Sequence, residues 1–371
     1  MAISLADFPA PHIPPKLPLD KLTNSLFTDD KFISLLLEAT SSLSEFIGYL
    51  QNLPNQDILI TSLTLQESVL SSSIEGTIAT IEDVVNGDSD SEIINNDITE
   101  INNYISAIQY GHISLRDNSK HLSEHLIREL HILLLGNNVR GANKSPGSYK
   151  TEQNYIKNEL LGNFTPLPPF LTQEYMENLV TYLESPQSSK LIQIAIAHAQ
   201  FEMIHPFKDG NGRVGRILIP LFLYAKDKIP APIFYISRYF TQYNDKYKKY
   251  LSDLSKAKTE EELLSHWKDW LNYFLEGIKS ESKQHVKTSQ QIIELYRSMV
   301  AEINKTEMIA LVDMLFSQLT IAPTNAVTEL NLPDTSIRNE LKKLAAKGYI
   351  TRVGSARKTK YIFTQLIRLL N

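Results

Sequence analysis

The stretch Lys190–Ile204 carries apolar residues on every face of a helix (Ile192, Ile194, Ala195, Ala199, Phe201, Met203). A helix of that kind cannot lie on a surface and has to be enclosed. Apolar residues recur at helical spacing elsewhere to enclose it. They run from about Asp30 (Phe32, Leu35, Leu36, Leu43, Phe46, Ile47, Leu50), from Asp57 to Glu75, from near Asp97, and over 122–136. Further stretches cover 173–184, 213–225, 245–256 and Glu260 to Asn304. Pro220 inside 213–225 predicts a kink. Five prolines between 9 and 18 predict an extended arm laid over the first domain. Gly87–Glu92 reads as an exposed acidic loop. Lys144 to Phe164, with the turn pair Pro146-Gly147, reads as a β-hairpin. The expected fold is mainly α, with one hairpin.

Composition narrows the chemistry. Cysteine is absent from the 371 residues, which excludes disulfides, a thiol nucleophile and Cys-ligated metal. Residues 1–10 lack the pattern of a secretory signal, and nowhere do 18 apolar residues run together, so the expected setting is cytoplasmic with no membrane partner. Net charge is 37 − 42 = −5. Residues 301–371 hold ten Lys/Arg against six Asp/Glu, so this tail is +4 and the rest −9. We therefore expect an N-terminal helical region over 1–95, a core over 96–285 and a separate C-terminal module over 286–371.

The densest chemistry lies in His205-Pro-Phe-Lys-Asp-Gly-Asn-Gly-Arg-Val-Gly-Arg216. Pro206 cannot continue the preceding helix, so His205 stands at its end on rigid scaffold. Gly210, Asn211 and Gly212 can turn successive N–H groups toward one point, and a helix starting near Arg213 adds its positive end: an anion cradle. Arg213 and Arg216 are three apart on that helix, where both guanidiniums can grip phosphate oxygens. Asp209 alone suits Mg²⁺, which takes one or two carboxylates beside phosphate oxygens and water. Histidine, cradle, arginines and acid together describe transfer of a phosphorus-centred group with His205 as base. His198, seven residues earlier, reads as a packing residue, since no carboxylate is spaced to complete a zinc site with it.

At its nine fixed positions, 205–216 resembles the Fic family motif His-Pro-Phe-x-Asp/Glu-Gly-Asn-Gly-Arg-x-x-Arg. The resemblance implies a protein adenylyltransferase that moves AMP from ATP to a Ser, Thr or Tyr hydroxyl. It implies that His205 deprotonates the hydroxyl and Asp209 holds Mg²⁺. Gly210, Asn211 and Gly212 would cradle the phosphates, with the Asn211 side chain turned toward them. Arg213 and Arg216, with Val214 and Gly215 between them, would hold the β- and γ-phosphates. Residues 141–156 resemble the family's flap hairpin, on which a target segment docks as an added strand. Tyr235–Phe240 resembles the wall of the adenine site, with a nucleotide contact near Tyr243.

Ser71-Ser-Ser-Ile-Glu75-Gly76 is similar to the family's inhibitory helix, Ser/Thr-x-x-x-Glu-Gly/Asn. Gly76 would end the helix, which leaves Glu75 at the negative end of the dipole, in need of a cation. By resemblance that cation is Arg216, and a Glu75–Arg216 pair would remove the γ-phosphate clamp and autoinhibit the enzyme.

In the tail, Glu307–Leu319, Thr324–Leu330 and Ser336–Lys347 read as helices, and 349–353 and 361–364 as strands around a basic tip at 354–360. The order resembles a winged helix-turn-helix, so residues 305–364 are a candidate surface for DNA, for a protein, or for a homodimer. Three rivals stay open. One is a Fic-like transferase of another group, one is the reverse reaction, removal of AMP, and one is a DNA-binding regulator whose core senses nucleotide.

Overall fold

The computed structural model describes residues 8–51, 56–87, 91–136, 139–158, 160–303, 305–355 and 359–371. Among them the chain is mainly helical with one small sheet. Its helices are α1 Asp20–Leu26, α2 Asp30–Gln51, α3 Asp57–Ile74, α4 Ile81–Asn86, α5 Glu92–Asp117 and α6 Glu124–Leu134. Then follow α7 Thr172–Glu184, α8 Lys190–Ile204, α9 Asn211–Ala225, α10 Ser237–Gln242, α11 Asn244–Leu254 and α12 Glu260–Ile303. The last part holds α13 Ile309–Gln318, β1 Thr320–Ile321, α14 Pro323–Leu330, α15 Asp334–Ala346, β2 Thr351–Val353, β3 Lys360–Ile362 and α16 Thr364–Leu370.

As its composition requires, α8 is buried along nearly its whole length. It packs against α7, α9, α11 and α12. The Trp270 indole of α12 donates to the Ala195 carbonyl (2.8 Å), tying the long helix to the central one. Side-chain caps set several starts: Ser91, Ser123 and Ser189 accept from the backbone of the first turn of α5, α6 and α8. The Ser91 cap also explains why α5 begins at Glu92, earlier than the expected start near Asp97.

Several expectations are corrected. The proline arm lies over the centre of the chain and not over the N-terminal helices. His12 N–H bonds to the Thr165 carbonyl, Leu17 N–H to Asn178, and the Gln200 amide to the Pro15 carbonyl. Among the described residues, the segment expected as a hairpin, 144–164, shows one isolated bridge, Ile156 with Phe164, and no regular strand pair. Its donors are spent elsewhere, Gly147 N–H on His131, Lys150 N–H on the Pro206 carbonyl and the Asn154 amide on the Phe207 carbonyl. The joints expected at 95/96 and 285/286 fall inside α5 and α12. One apolar cluster runs from Leu17 to Leu370. Of the acidic loop 87–92, residues 88–90 lie outside the described residues, as do 356–358 of the basic tip.

In the last part, β1, β3 and β2 form an antiparallel sheet in that order. This part rests on α3 through α13 and α16. The Gln66 amide of α3 bonds to the Leu370 carbonyl, and the Thr320 hydroxyl to the Val85 carbonyl (3.1 Å). Among the described residues no helix is long and apolar enough to cross a membrane.

Candidate functional site

The helix α8 stops where Pro206 withholds its N–H, and His205 takes up the left-handed conformation (φ 50°, ψ 61°). Lys150 fastens this turn from both sides. Its N–H donates to the Pro206 carbonyl (2.8 Å) and its buried ammonium to the Ile204 carbonyl (2.9 Å). Burial and the Lys150 cation hold the His205 imidazole down at about 4, against the opposing pull of Glu75. At neutral pH it is therefore an uncharged acceptor.

From His205 the chain turns through Phe207 to Gly210, whose left-handed φ of 75° starts α9. Asn211 locks the turn: its side-chain oxygen accepts from Phe207 N–H and its amide donates to the Phe207 carbonyl, both at 2.8 Å. The Asn211 side chain is thus committed to the loop, and the expectation that it faces phosphates is corrected. α9 has no side-chain cap, so its first N–H groups, at Asn211, Gly212 and Arg213, have no intrahelical partner. Where an anion cradle is expected at Gly210, Asn211 and Gly212, the unpaired N–H groups fall at 211–213, and Val214 and Gly215 are buried.

The two motif arginines are buried and differently engaged. Arg216 donates from Nε to the Ser71 hydroxyl (2.7 Å), and from Nη2 to the Ser71 carbonyl (2.9 Å) and the Glu75 carboxylate (2.8 Å). Glu75 thus meets Arg216, the cation the sequence pointed to, and Ser71 is a further partner that the sequence did not reveal. Gly76, at φ 96°, ends the turn that presents Glu75. Burial pushes the Glu75 carboxyl up, but Arg216, with Arg213 and His205 behind it, brings it below its ordinary value. The carboxylate rests on Gly212: a Cβ there would lie 2.3 Å from Glu75 Oε1. Arg213 donates from Nη1 to Glu100 of α5 (3.0 Å), a partner that the sequence did not reveal.

Among the described residues, four buried polar atoms here have no hydrogen-bond partner: Glu202 Oε1, His205 Nδ1, Arg213 Nε and Arg216 Nη1. Buried polar atoms are rarely left unmatched, so such a cluster marks a ligand site. Asp209 sits at its edge. Its Oδ1 accepts from Gly210 N–H (2.6 Å), and it forms no ion pair among the described residues. Among those residues no cluster of three or more metal-ligating side chains exists. A cleft of about 660 Å³ is bordered by Asp97, Glu100, Arg140 and Gly141, and its Glu100 is the partner of Arg213.

Other residues missed from the sequence support the site. His131 of α6 accepts from Gly147 N–H at Nδ1 (2.8 Å), so Nε2 carries the proton and donates to the Asp209 carbonyl (2.9 Å). It stacks on Phe207 at 3.8 Å and thereby joins flap, α6 and motif. Glu67 of α3 accepts from the Ser237 hydroxyl and the Tyr104 hydroxyl. His198 donates to the Gly215 carbonyl (3.1 Å) and accepts from the Tyr247 hydroxyl (3.0 Å), a packing residue as read. Tyr243 packs with its ring tilted against Tyr239 (centroids 4.8 Å apart), and among the described residues it makes no hydrogen bond or ring contact with 205–216.

Residues 33–112 match the Fic/DOC family N-terminal region and residues 121–223 the Fic/DOC family itself. A probable protein adenylyltransferase, aq_aa38, of Aquifex aeolicus is 27% identical over 162 residues, which is 43% of this chain and 48% of that protein. The protein adenylyltransferase fic-1 of Caenorhabditis briggsae is 32% identical over 122 residues, 32% of this chain and 22% of that protein. The chain thus spans half or less of these curated relatives. A Fic family protein from Desulfovibrio desulfuricans G20 shares the fold with a TM-score of 0.57 at 18% identity, covering 95% of this chain and 98% of that one.

Proposed function

The chain belongs to the Fic/DOC family through residues 33–112 and 121–223, and from that premise we propose that it is a protein adenylyltransferase restrained by its own Glu75. The observation that carries this reading is the convergence of a neutral His205, an uncapped α9 N-terminus and two buried arginines on one set of unpartnered atoms. The nucleotide is ATP, and the acceptor is a protein hydroxyl presented beneath the flap 141–156. The hydroxyl oxygen attacks the α-phosphorus, the bond from that phosphorus to the α,β-bridging oxygen breaks, and pyrophosphate leaves. His205 takes the hydroxyl proton on its imidazole. The free N–H groups of Asn211, Gly212 and Arg213 stabilise the phosphate charge, and Arg213 and Arg216 hold the β- and γ-phosphates. Asp209 would hold Mg²⁺, which supplies further neutralisation of phosphate charge.

In the resting chain Glu75 and Ser71 occupy Arg216 through Nε and Nη2, the two donors that would grip a phosphate. ATP must displace Glu75 to be clamped, hence the restraint. The last part of the chain, 305–364, has the element order of a winged helix. Among the described residues, Arg338 pairs with Asp334, Lys347 with Glu302 and Lys305 with Glu340.

The test is intact-protein mass spectrometry after incubation with ATP and Mg²⁺, using wild type, Glu75→Gly and Glu75→Gly/His205→Ala. We expect an added AMP on Glu75→Gly, little on wild type and none on the double variant. Folded, ATP-binding protein that gains no AMP in any variant would overturn the reading.

A further inference from the structure

We propose that Glu100 is a positioning residue that holds Arg213 in its phosphate-binding orientation; this rests on the nucleotide-site reading above. Nothing in the motif points to it. Glu100 lies on α5, more than a hundred residues before Arg213 in the chain. The packing of α5 on α9 brings the two side chains together.

The way each arginine uses its guanidinium separates Glu100 from Glu75. A guanidinium grips phosphate best through paired, parallel donors. Arg216 has spent such a pair, Nε and Nη2, on Ser71 and Glu75. Arg213 has spent only Nη1, on Glu100 Oε2 (3.0 Å). Among the described residues this is its one side-chain hydrogen bond, and its Nε is buried with no partner. The Nε and Nη2 edge therefore stays open. Glu75 blocks its arginine, whereas Glu100 anchors its arginine from the rear.

The pair is also built as a permanent one. The Arg213 and Glu100 side chains are 1% and 4% exposed, while Glu75 is 35% exposed. Removing one partner of a buried pair leaves the other charge uncompensated, so this contact is costly to open. The half-exposed Glu75 can swing away. Arg140, whose Nη2 approaches the same Glu100 oxygen at 3.5 Å, supplies a second cation that opposes the rise burial imposes on the Glu100 pKa.

The experiment measures ATP, ADP and AMP binding by calorimetry to Glu75→Gly, Glu75→Gly/Glu100→Gln and Glu75→Gly/Glu100→Asp, with thermal melting as the folding control. Gln keeps the shape of the side chain but not its charge, and Asp keeps the charge. We expect Glu100→Gln to weaken ATP and ADP about tenfold while AMP, which lacks the β- and γ-phosphates, is unchanged; Glu100→Asp should recover part of the loss. Equal weakening of all three ligands would reduce Glu100 to a structural role, and tighter ATP binding would make it a second competitor. Either result, or no ATP binding by Glu75→Gly, overturns the proposal. If binding follows expectation but no variant transfers AMP, the proposed reaction fails and the positioning role stands.

Discussion

Lys150 shows what a single buried side chain contributes to this site. Its ammonium is pulled down to about 7 by burial, so it is near half-ionised at neutral pH. It supplies the Ile204 carbonyl with a donor and keeps His205 low. The other groups that act on the imidazole are the Glu75 carboxylate, just past the end of α3, and a backbone hydrogen bond to Glu202, both in the opposite direction. Lys150→Met in the Glu75→Gly background should move the His205 pKa upward. A base works only when unprotonated, so the acid limb of the AMP-transfer rate against pH should shift to higher pH, and Lys150→Arg should restore it. A limb that does not move would remove Lys150 from the His205 environment. His205, Asp209 and the two arginines were legible in the sequence because they sit in one contiguous motif, and Ser71 and Glu75 because they keep a recognisable spacing. Lys150, Glu100 and His131 were not, since each stands alone in its own segment and acquires its partner only through tertiary packing.

The element that governs the proposed restraint is α3. It packs against α5, α9 and α10 and also against α13 and α16 of the last part of the chain. The cap at its Glu75 end is sharp. Gly76 takes φ 96°, its N–H bonds to the Ser73 carbonyl, and Thr77 N–H reaches back to the Ser72 carbonyl. Space around Gly76 is open, so Gly76→Ala would clash with nothing and act only through backbone strain of about 1–2 kcal/mol. Fraying the last turn relieves that strain and unseats Glu75. ATP affinity should therefore rise several-fold in Gly76→Ala, with a lower melting temperature, both measurable on one sample. Unchanged ATP affinity in the destabilised variant would show that the cap does not set the position of Glu75. The long helices were readable from period alone, but α1, α4, α10 and α16, each two turns or less, were missed because so short a stretch shows no repeat. The flap misled for another reason. Its turn residues were read correctly, yet its donors bond to the motif loop and α6 in place of a second strand.

At the scale of the whole molecule, the core is continuous and carries buried titratable groups throughout. His12, His131 and His205 are held at about 4, His285 at about 4 and His198 at about 3, all through burial. An unfolded histidine takes up a proton near 6.5, so the folded state binds fewer protons between there and about 4 and loses stability as pH falls through that window. Glu67 and Glu202 act in the opposite direction. Burial raises both to about 7, so acidification from 7 to the unfolded value near 4.5 favours the folded state. The two carboxyls partly offset the five histidines above pH 4.5 and give nothing further below it. The urea midpoint should therefore decline gently from pH 7 to 5 and steeply below about 4.5. Glu202→Gln removes one offsetting proton, since Gln does not titrate, and should steepen the upper part of the curve while leaving the lower part alone. A midpoint that is flat to pH 4, or an upper slope that Glu202→Gln leaves unaltered, would mean that these groups reach water in the folded chain.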